Sequence, residues 1–103
     1  SCGAAFVGGL MRPVLLQDVL RVGRALVLVP PDERWRVCSD IFLMAAEADS
    51  HRRQTQCAHP RFGTGTLSSA ADRHDLAEDQ TLENREFVAC LIIVLCMLME
   101  RQA

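Results

Sequence analysis

The chain has 103 residues, half of them hydrophobic, and a formal net charge of −2. This length suits one domain, and the apolar content excludes a disordered chain, which would be poor in apolar residues and rich in unbalanced charge. All eleven basic side chains are arginines, so a Schiff-base or phosphate-loop lysine is excluded. The nearly neutral charge also argues against nucleic-acid binding, for which a basic excess is expected.

The five cysteines are odd in number, irregularly spaced and contain no C-x-x-C pair. This pattern argues against a disulfide framework and a structural zinc site. We therefore expect a protein of the reducing cytoplasm, with no cofactor and no metal.

The amino-terminal residues 1–10 lack the basic start of a secretory signal. Met11 is a candidate natural start, so we expect residues 1–10 to be a tail or a remnant and residues 11–103 to form a single helical domain. The longest apolar run, residues 87–99, has thirteen residues. A bilayer span needs about 17–25, so the run predicts a buried helix and no membrane contact.

The first predicted helix covers residues 13–28, and Pro13 suits its first turn because a proline there loses no helical hydrogen bond. Apolar residues recur in two rows at i, i+4, i+7 and i+11, with polar residues opposite, which is typical of an amphipathic helix. The rows are Leu15, Val19, Val22 and Leu26, and Leu16, Leu20, Gly23 and Val27.

The second predicted helix begins after Pro30 and Pro31, which end the first one. Asp32 and Glu33 suit its first turn, where negative charge interacts favourably with the helix dipole. We expect it to end between residues 50 and 56. Its predicted buried row is Trp35, Cys38, Phe42 and Ala45, flanked by Ile41 and Ala48.

A loop is predicted over residues 57–66, where a His-Pro pair and two glycines forbid regular structure. Thr66 is a candidate N-cap for a short helix over residues 67–74, and residues 75–83 form an acidic connector. The final helix is predicted over residues 84–102 and has no polar stripe. The fold class is therefore all-α: a small bundle of three longer helices and one short helix, with antiparallel neighbours.

The final helix predicts self-association. A chain of this length hides only about two-thirds of the surface that its unfolded form exposes, so three helices cannot easily enclose a fully apolar fourth. A two-fold homodimer is the simplest solution. The predicted contact residues are Leu91, Ile92, Leu95 and Met99.

Charge is segregated around the loop. Residues 50–71 hold three arginines and two histidines but no acid, whereas residues 72–86 hold six acids. One interpretation is that the two segments pair with each other. The other is an anion or phosphate site, in which backbone N–H groups at a helix N-terminus bind the ligand. Its residues would be His59, Arg61, Gly63, Thr64, Gly65 and Thr66.

Other chemistry has weaker support. Cys57 near His59 has no evident third residue to orient a nucleophile, so no catalytic residue is predicted. Residues 67–74 offer few side chains for a DNA-reading helix. The cluster His51, Cys57, His59 and His74 fits no standard zinc spacing.

Three segments resemble a family of small uncharacterised helical proteins from alphaproteobacteria: MRPVLL at 11–16, AHPRFGTGTL at 58–67 followed by two alanines, and ACL at 89–91. The resemblance covers residue 11 to the C-terminus and implies a bacterial, cytoplasmic, helical protein. It assigns no activity.

The sequence therefore favours a non-enzymatic module that associates with itself and with a protein partner. One alternative is a domain that binds an anion, or a small enzyme, using the loop from His59 to Thr66. A second is a small DNA-binding or regulatory protein.

Overall fold

The computed structural model describes residues 13–102. This part of the chain folds into four α-helices and one short 3-10 helix, and it contains no β-strand. The predicted all-α class is confirmed. The elements are α1 (Leu16–Leu26), a 3-10 helix (Pro31–Glu33), α2 (Arg34–Thr55), α3 (Leu67–Ala71) and α4 (Arg85–Gln102).

The helix ends follow from local hydrogen bonds. The carboxylate of Asp18 accepts the N–H of Leu15 at 2.9 Å, and α1 therefore starts at residue 16 rather than at the predicted residue 13. The hydroxyl of Thr66 accepts the N–H of Ser69 at 3.1 Å, which confirms the predicted N-cap. Helix α3 stops at Ala71, three residues before the predicted end.

Helices α1, α2, α3 and α4 pack around one hydrophobic core. Helices α1 and α4 approach each other closely at Gly23, where an added Cβ atom would lie 2.7 Å from Cδ2 of Leu91 and 3.0 Å from Cε1 of Phe87. Any side chain at residue 23 would push these two residues away. The largest fully buried apolar side chains include Phe42, Phe87, Leu26, Ile41 and Leu67.

One predicted core residue is wrong. Trp35 is 45% exposed, whereas the rest of its predicted row, Cys38, Phe42 and Ala45, is fully buried. Trp35 lies in the first turn of α2, where no neighbouring helix covers it completely. Helical periodicity therefore predicted the buried face of α2 correctly, but it did not predict that Trp35 is exposed.

A buried arginine joins three helix ends. Arg34, the first residue of α2, donates from Nε to the carbonyl oxygens of Leu26 at 3.0 Å and Val29 at 2.9 Å. Its Nη1 pairs with the carboxylate of Glu86, in the first turn of α4, at 3.3 Å. The guanidinium thus satisfies carbonyl groups at and just beyond the end of α1 and holds the start of α4 there. It follows that α1 and α4 run antiparallel.

Two core cysteines are held as neutral thiols. Cys38 and Cys90 are fully buried. Burial raises the pKa of Cys38 to about 12; the charge of Arg101 opposes this rise and Cys90 adds to it. Burial is also the main reason why the pKa of Cys90 is raised. Both side chains act as small apolar core residues.

Replacement of Arg34 should strongly destabilise the fold. In Arg34→Leu the buried carbonyl groups lose their donor, which should lower the free energy of unfolding by about 3–5 kcal/mol. The matched control is Arg36→Leu, because Arg36 makes only exposed ion pairs with Glu33 and Asp40, worth about 0–1 kcal/mol. Urea unfolding measures both. Equal losses would contradict the role given to Arg34.

The free energy of unfolding should depend on pH above 9 because of the buried thiols. The chain has no lysine and no tyrosine, so few other groups titrate between pH 9 and 11. The unfolded chain releases the Cys38 proton near the ordinary thiol pKa of 9.0, while the folded chain keeps it to about 12. Stability should therefore fall as pH rises above 9, with Cys38 contributing up to about 1.4 kcal/mol per pH unit.

Comparison of slopes, rather than of absolute stabilities, tests this prediction. Cys38→Ala should flatten the fall in stability between pH 9 and 11. A Cys38→Ala slope equal to that of the wild type would show that other groups cause the alkaline loss.

Candidate functional site

The predicted anion loop is a closed turn. Gln56 ends α2 in the left-handed conformation, with a φ of 62°. His59 and Gly63 then exchange two backbone hydrogen bonds of 2.8 and 3.1 Å. Gly63 and Gly65 have φ values of 86° and 93°, a region that side chains rarely adopt. The loop was predicted correctly, and its glycines are required by backbone geometry.

The imidazole of His59 stabilises this turn by hydrogen bonds to its backbone. Its Nδ1 accepts the N–H groups of Arg61 at 3.0 Å and Phe62 at 3.1 Å, and its ring stacks on Phe62 with centroids 4.6 Å apart. Because Nδ1 accepts both bonds, the ring proton of the neutral form lies on Nε2. His59 therefore positions the backbone of the loop and is not free to act as a base through Nδ1.

The second glycine lies against a buried carboxylate. A Cβ atom on Gly65 would lie 2.9 Å from both Cα and Cβ of Asp49. Asp49 is fully buried and pairs with Arg52 at 2.6 Å and Arg53 at 3.3 Å. The loop thus packs directly on the last turns of α2. Sequence analysis missed Asp49, whose only signal was an acid three and four residues before two arginines.

The N-terminus of α3 already binds an anion, namely the side chain of Asp18. This carboxylate is buried and accepts both the N–H of Ser68, at 3.3 Å, and the hydroxyl of the same residue. The hydroxyl of Thr66 occupies the N–H of Ser69, and that of Thr64 contacts the Ser69 hydroxyl at 2.9 Å. The hydroxyl groups of Thr64 and Thr66, which the sequence assigned to an external ligand, therefore have partners within the chain.

Of the six predicted loop residues, Arg61 keeps the most exposed charge. Its guanidinium lies 5.5 Å from the centre of the Phe62 ring. Phosphate binding by the loop stays a prediction that now depends mainly on this one side chain. Two acidic residues of the segment that follows the loop in sequence pair with arginines of α1. Asp72 pairs with Arg21 at 2.6 Å and Asp79 pairs with Arg24 at 3.4 Å.

The other candidate chemistries gain little from the geometry. Among residues 13–102, no group of three or more His, Cys, Asp or Glu side chains is placed to hold a metal ion. Cys57 is disulfide-bonded, so it offers no free nucleophile, and the expected reduced state is wrong for this residue. Helix α3 has five residues, of which Leu67, Ala70 and Ala71 are buried, which leaves little surface for reading DNA.

Helix α4 carries an exposed apolar row. Ile92, Leu95 and Met99 are 54%, 48% and 73% exposed, and Cys96 beside them is an exposed free cysteine. Leu91, the fourth predicted contact residue, is only 9% exposed and packs near Gly23. Three of the four predicted contact residues therefore share an accessible surface, and Leu91 lies in the core.

Helix α1 extends this surface. Leu16 and Leu20 are exposed and belong to the row of α1 that contains Gly23, the residue that contacts α4. Since α1 and α4 run antiparallel, we infer that Leu20 and Leu16 lie toward the half of α4 that carries Leu95 and Met99. We call this surface the α1–α4 apolar face. It consists of Leu16, Leu20, Ile92, Leu95, Cys96 and Met99.

Fold and site together define a small all-α domain with a self-contained loop and an accessible apolar face. A family model described as Domain of unknown function (DUF7742) matches residues 12–98, and the chain belongs to this family. No curated protein matches the chain, and no solved structure does. The resemblance to a family without assigned activity is confirmed at this level. Within the part of the chain that the structure describes, every helix is too short or too polar to cross a membrane.

Two replacements of His59 should show whether its hydrogen-bond acceptor stabilises the loop. His59→Ala removes the acceptor for two N–H groups and the stack on Phe62, and should lower the free energy of unfolding by about 1–3 kcal/mol. In His59→Asn the side-chain oxygen lies near the position of Nδ1 and accepts the same bonds, so most of the loss should be recovered. Chemical unfolding of both variants measures this. Asparagine as harmful as alanine would contradict the assignment.

Proposed function

We propose that this protein is a non-enzymatic interaction module that forms a two-fold homodimer through the α1–α4 apolar face. The observation that supports this most is the row formed by Ile92, Leu95 and Met99, three large apolar side chains about half or more exposed on one side of α4. Contiguous exposed apolar side chains on a small domain are typical of a protein-protein contact.

A second copy of the chain is the simplest partner for this face. An uncharged apolar surface is self-complementary under two-fold symmetry, because apposing it with itself brings no like charges together. A standard interface takes about 800 Å² from each partner, a modest part of the 6300 Å² accessible surface. Full burial of each large apolar side chain contributes about 1.5–3 kcal/mol, so half-exposed residues contribute correspondingly less and a micromolar dimer is expected.

The remaining parts of the proposal concern context. A bacterial source rests on the resemblance and on the use of arginine as the sole long basic residue. A cytoplasmic location rests on the free cysteines Cys38, Cys90 and Cys96. A further protein partner would compete for the same face.

Leu95→Arg should abolish the dimer without unfolding the chain. Leu95 is 48% exposed, so an arginine at its position reaches water in the monomer but would be buried in the dimer, where an unpaired charge is strongly unfavourable. The matched control is Leu43→Arg on α2, because Leu43 is 57% exposed and lies outside the face. Light scattering at micromolar concentration should show dimers for the wild type and Leu43→Arg, and monomers for Leu95→Arg.

Circular dichroism of each variant establishes that it remains folded. A strictly monomeric wild type would overturn the proposal. Loss of the dimer in Leu43→Arg together with its retention in Leu95→Arg would place the interface on α2 and would also overturn it.

A further inference from the structure

Helix α4 has four charged residues, and two of them have partners within the protomer. Glu86 pairs with Arg34 at 3.3 Å, and the guanidinium of Arg101 lies 5.0 Å from the ring centre of Phe42. The other two, Arg85 and Glu100, are exposed. Neither forms an ion pair with any residue that the structure describes. Along the helix axis they lie near the two ends of the apolar row, Arg85 before it and Glu100 directly after Met99.

These two charges are poorly placed for the stability of α4 itself. Arg85 is the first residue of the helix and Glu100 lies in its last turn. A helix N-terminus favours negative charge and a C-terminus favours positive charge, so both residues have the unfavourable sign. Their positions are therefore not explained by helix formation, and a partner outside the protomer would explain them.

The relative direction of the two α4 helices in a dimer determines which charged residues of the two copies lie close together. If the two α4 helices pack in parallel, Arg85 faces Arg85 and Glu100 faces Glu100. If they pack antiparallel, each Arg85 faces the end of the partner helix that carries Glu100. The antiparallel arrangement thus forms two ion pairs where the parallel one forms two repulsive contacts.

The register agrees with this pairing. The half-buried Val88 extends the apolar row to Val88, Ile92, Leu95 and Met99, spaced i, i+4, i+7 and i+11, and the middle of this row lies between residues 93 and 94. A two-fold axis at that point places Glu100 opposite residue 87 of the partner. Arg85 lies two residues further, about 3 Å along the axis, which is within the reach of its side chain.

We propose that two copies of the chain pair antiparallel through α4, with reciprocal Arg85–Glu100 ion pairs at the two ends of the apolar row. This inference rests on the self-association proposed above and adds the direction and register of the interface. Leu16 and Leu20 of each α1 then flank the paired helices.

A charge-reversal cycle tests the direction. In Arg85→Glu and in Glu100→Arg, each antiparallel ion pair becomes a repulsive contact, and the dissociation constant should rise about tenfold, since two exposed pairs are lost. The double variant Arg85→Glu/Glu100→Arg restores both pairs with reversed polarity, so its dissociation constant should return to within about threefold of the wild type. Sedimentation equilibrium of all four proteins measures these constants.

Folding provides the internal control. Both reversals place charge of the favourable sign at the helix ends, so the melting temperature of each single variant, measured at a concentration where it is monomeric, should not fall. Weaker association together with an undiminished melting temperature excludes damage to the helix as the cause.

Two failures are distinguishable. A wild type that is monomeric at all concentrations would overturn both the self-association and the antiparallel pairing. A wild-type dimer whose dissociation constant is the same in all four proteins would overturn the antiparallel pairing alone, because a parallel interface, or one elsewhere, gives no coupling between residues 85 and 100.

Discussion

From Phe87 to Met99, helix α4 is apolar around its whole circumference, and the rest of the described chain covers only one side of it. The chain uses α1 and α2 for that purpose, and five α4 side chains are buried as a result: Phe87, Cys90, Leu91, Val94 and Met97. The opposite side keeps large apolar groups in water. Because burial of such groups is the main favourable term in association as well as in folding, the same helix that completes the core also carries the surface that the proposed dimer would bury.

Buried polar groups at the helix ends define the rest of the fold. Arg34 satisfies carbonyl groups at the end of α1, Asp18 accepts donors at the start of α3, and Asp49 lies beneath the loop with two arginines. Each replaces water at a backbone or side-chain group that would otherwise be buried without a partner. The polar side chains that suggest a ligand site in the sequence therefore mostly form hydrogen bonds within the chain.

Sequence periodicity predicted α1 well because this helix has a distinct apolar face. Helix α2 was predicted from the prolines before it and from the row Cys38, Phe42 and Ala45, although its buried residues also include Arg34, Asp49 and Arg52. Periodicity could not orient α4, which has no polar stripe, so Leu91 was grouped with Ile92 and Leu95 although it faces α1. It also could not predict which carboxylates pack against the loop and the start of α3. Asp18 is about 50 residues before Ser68, which it contacts, and Asp49 is about 16 residues before Gly65. Such contacts depend on tertiary packing, which local patterns do not encode.

The contact at Gly23 links folding to the proposed association. Without a side chain at this position, Leu91 and Phe87 fit directly against the backbone of α1. The close approach brings the α1 row that contains Gly23 and Leu20 toward α4, which is the arrangement that the proposed interface requires. A larger residue at position 23 would separate the helices and divide the α1–α4 apolar face even if the core repacked around it. The smallest residue of α1 thus determines how broad a surface the domain would offer to the proposed second copy.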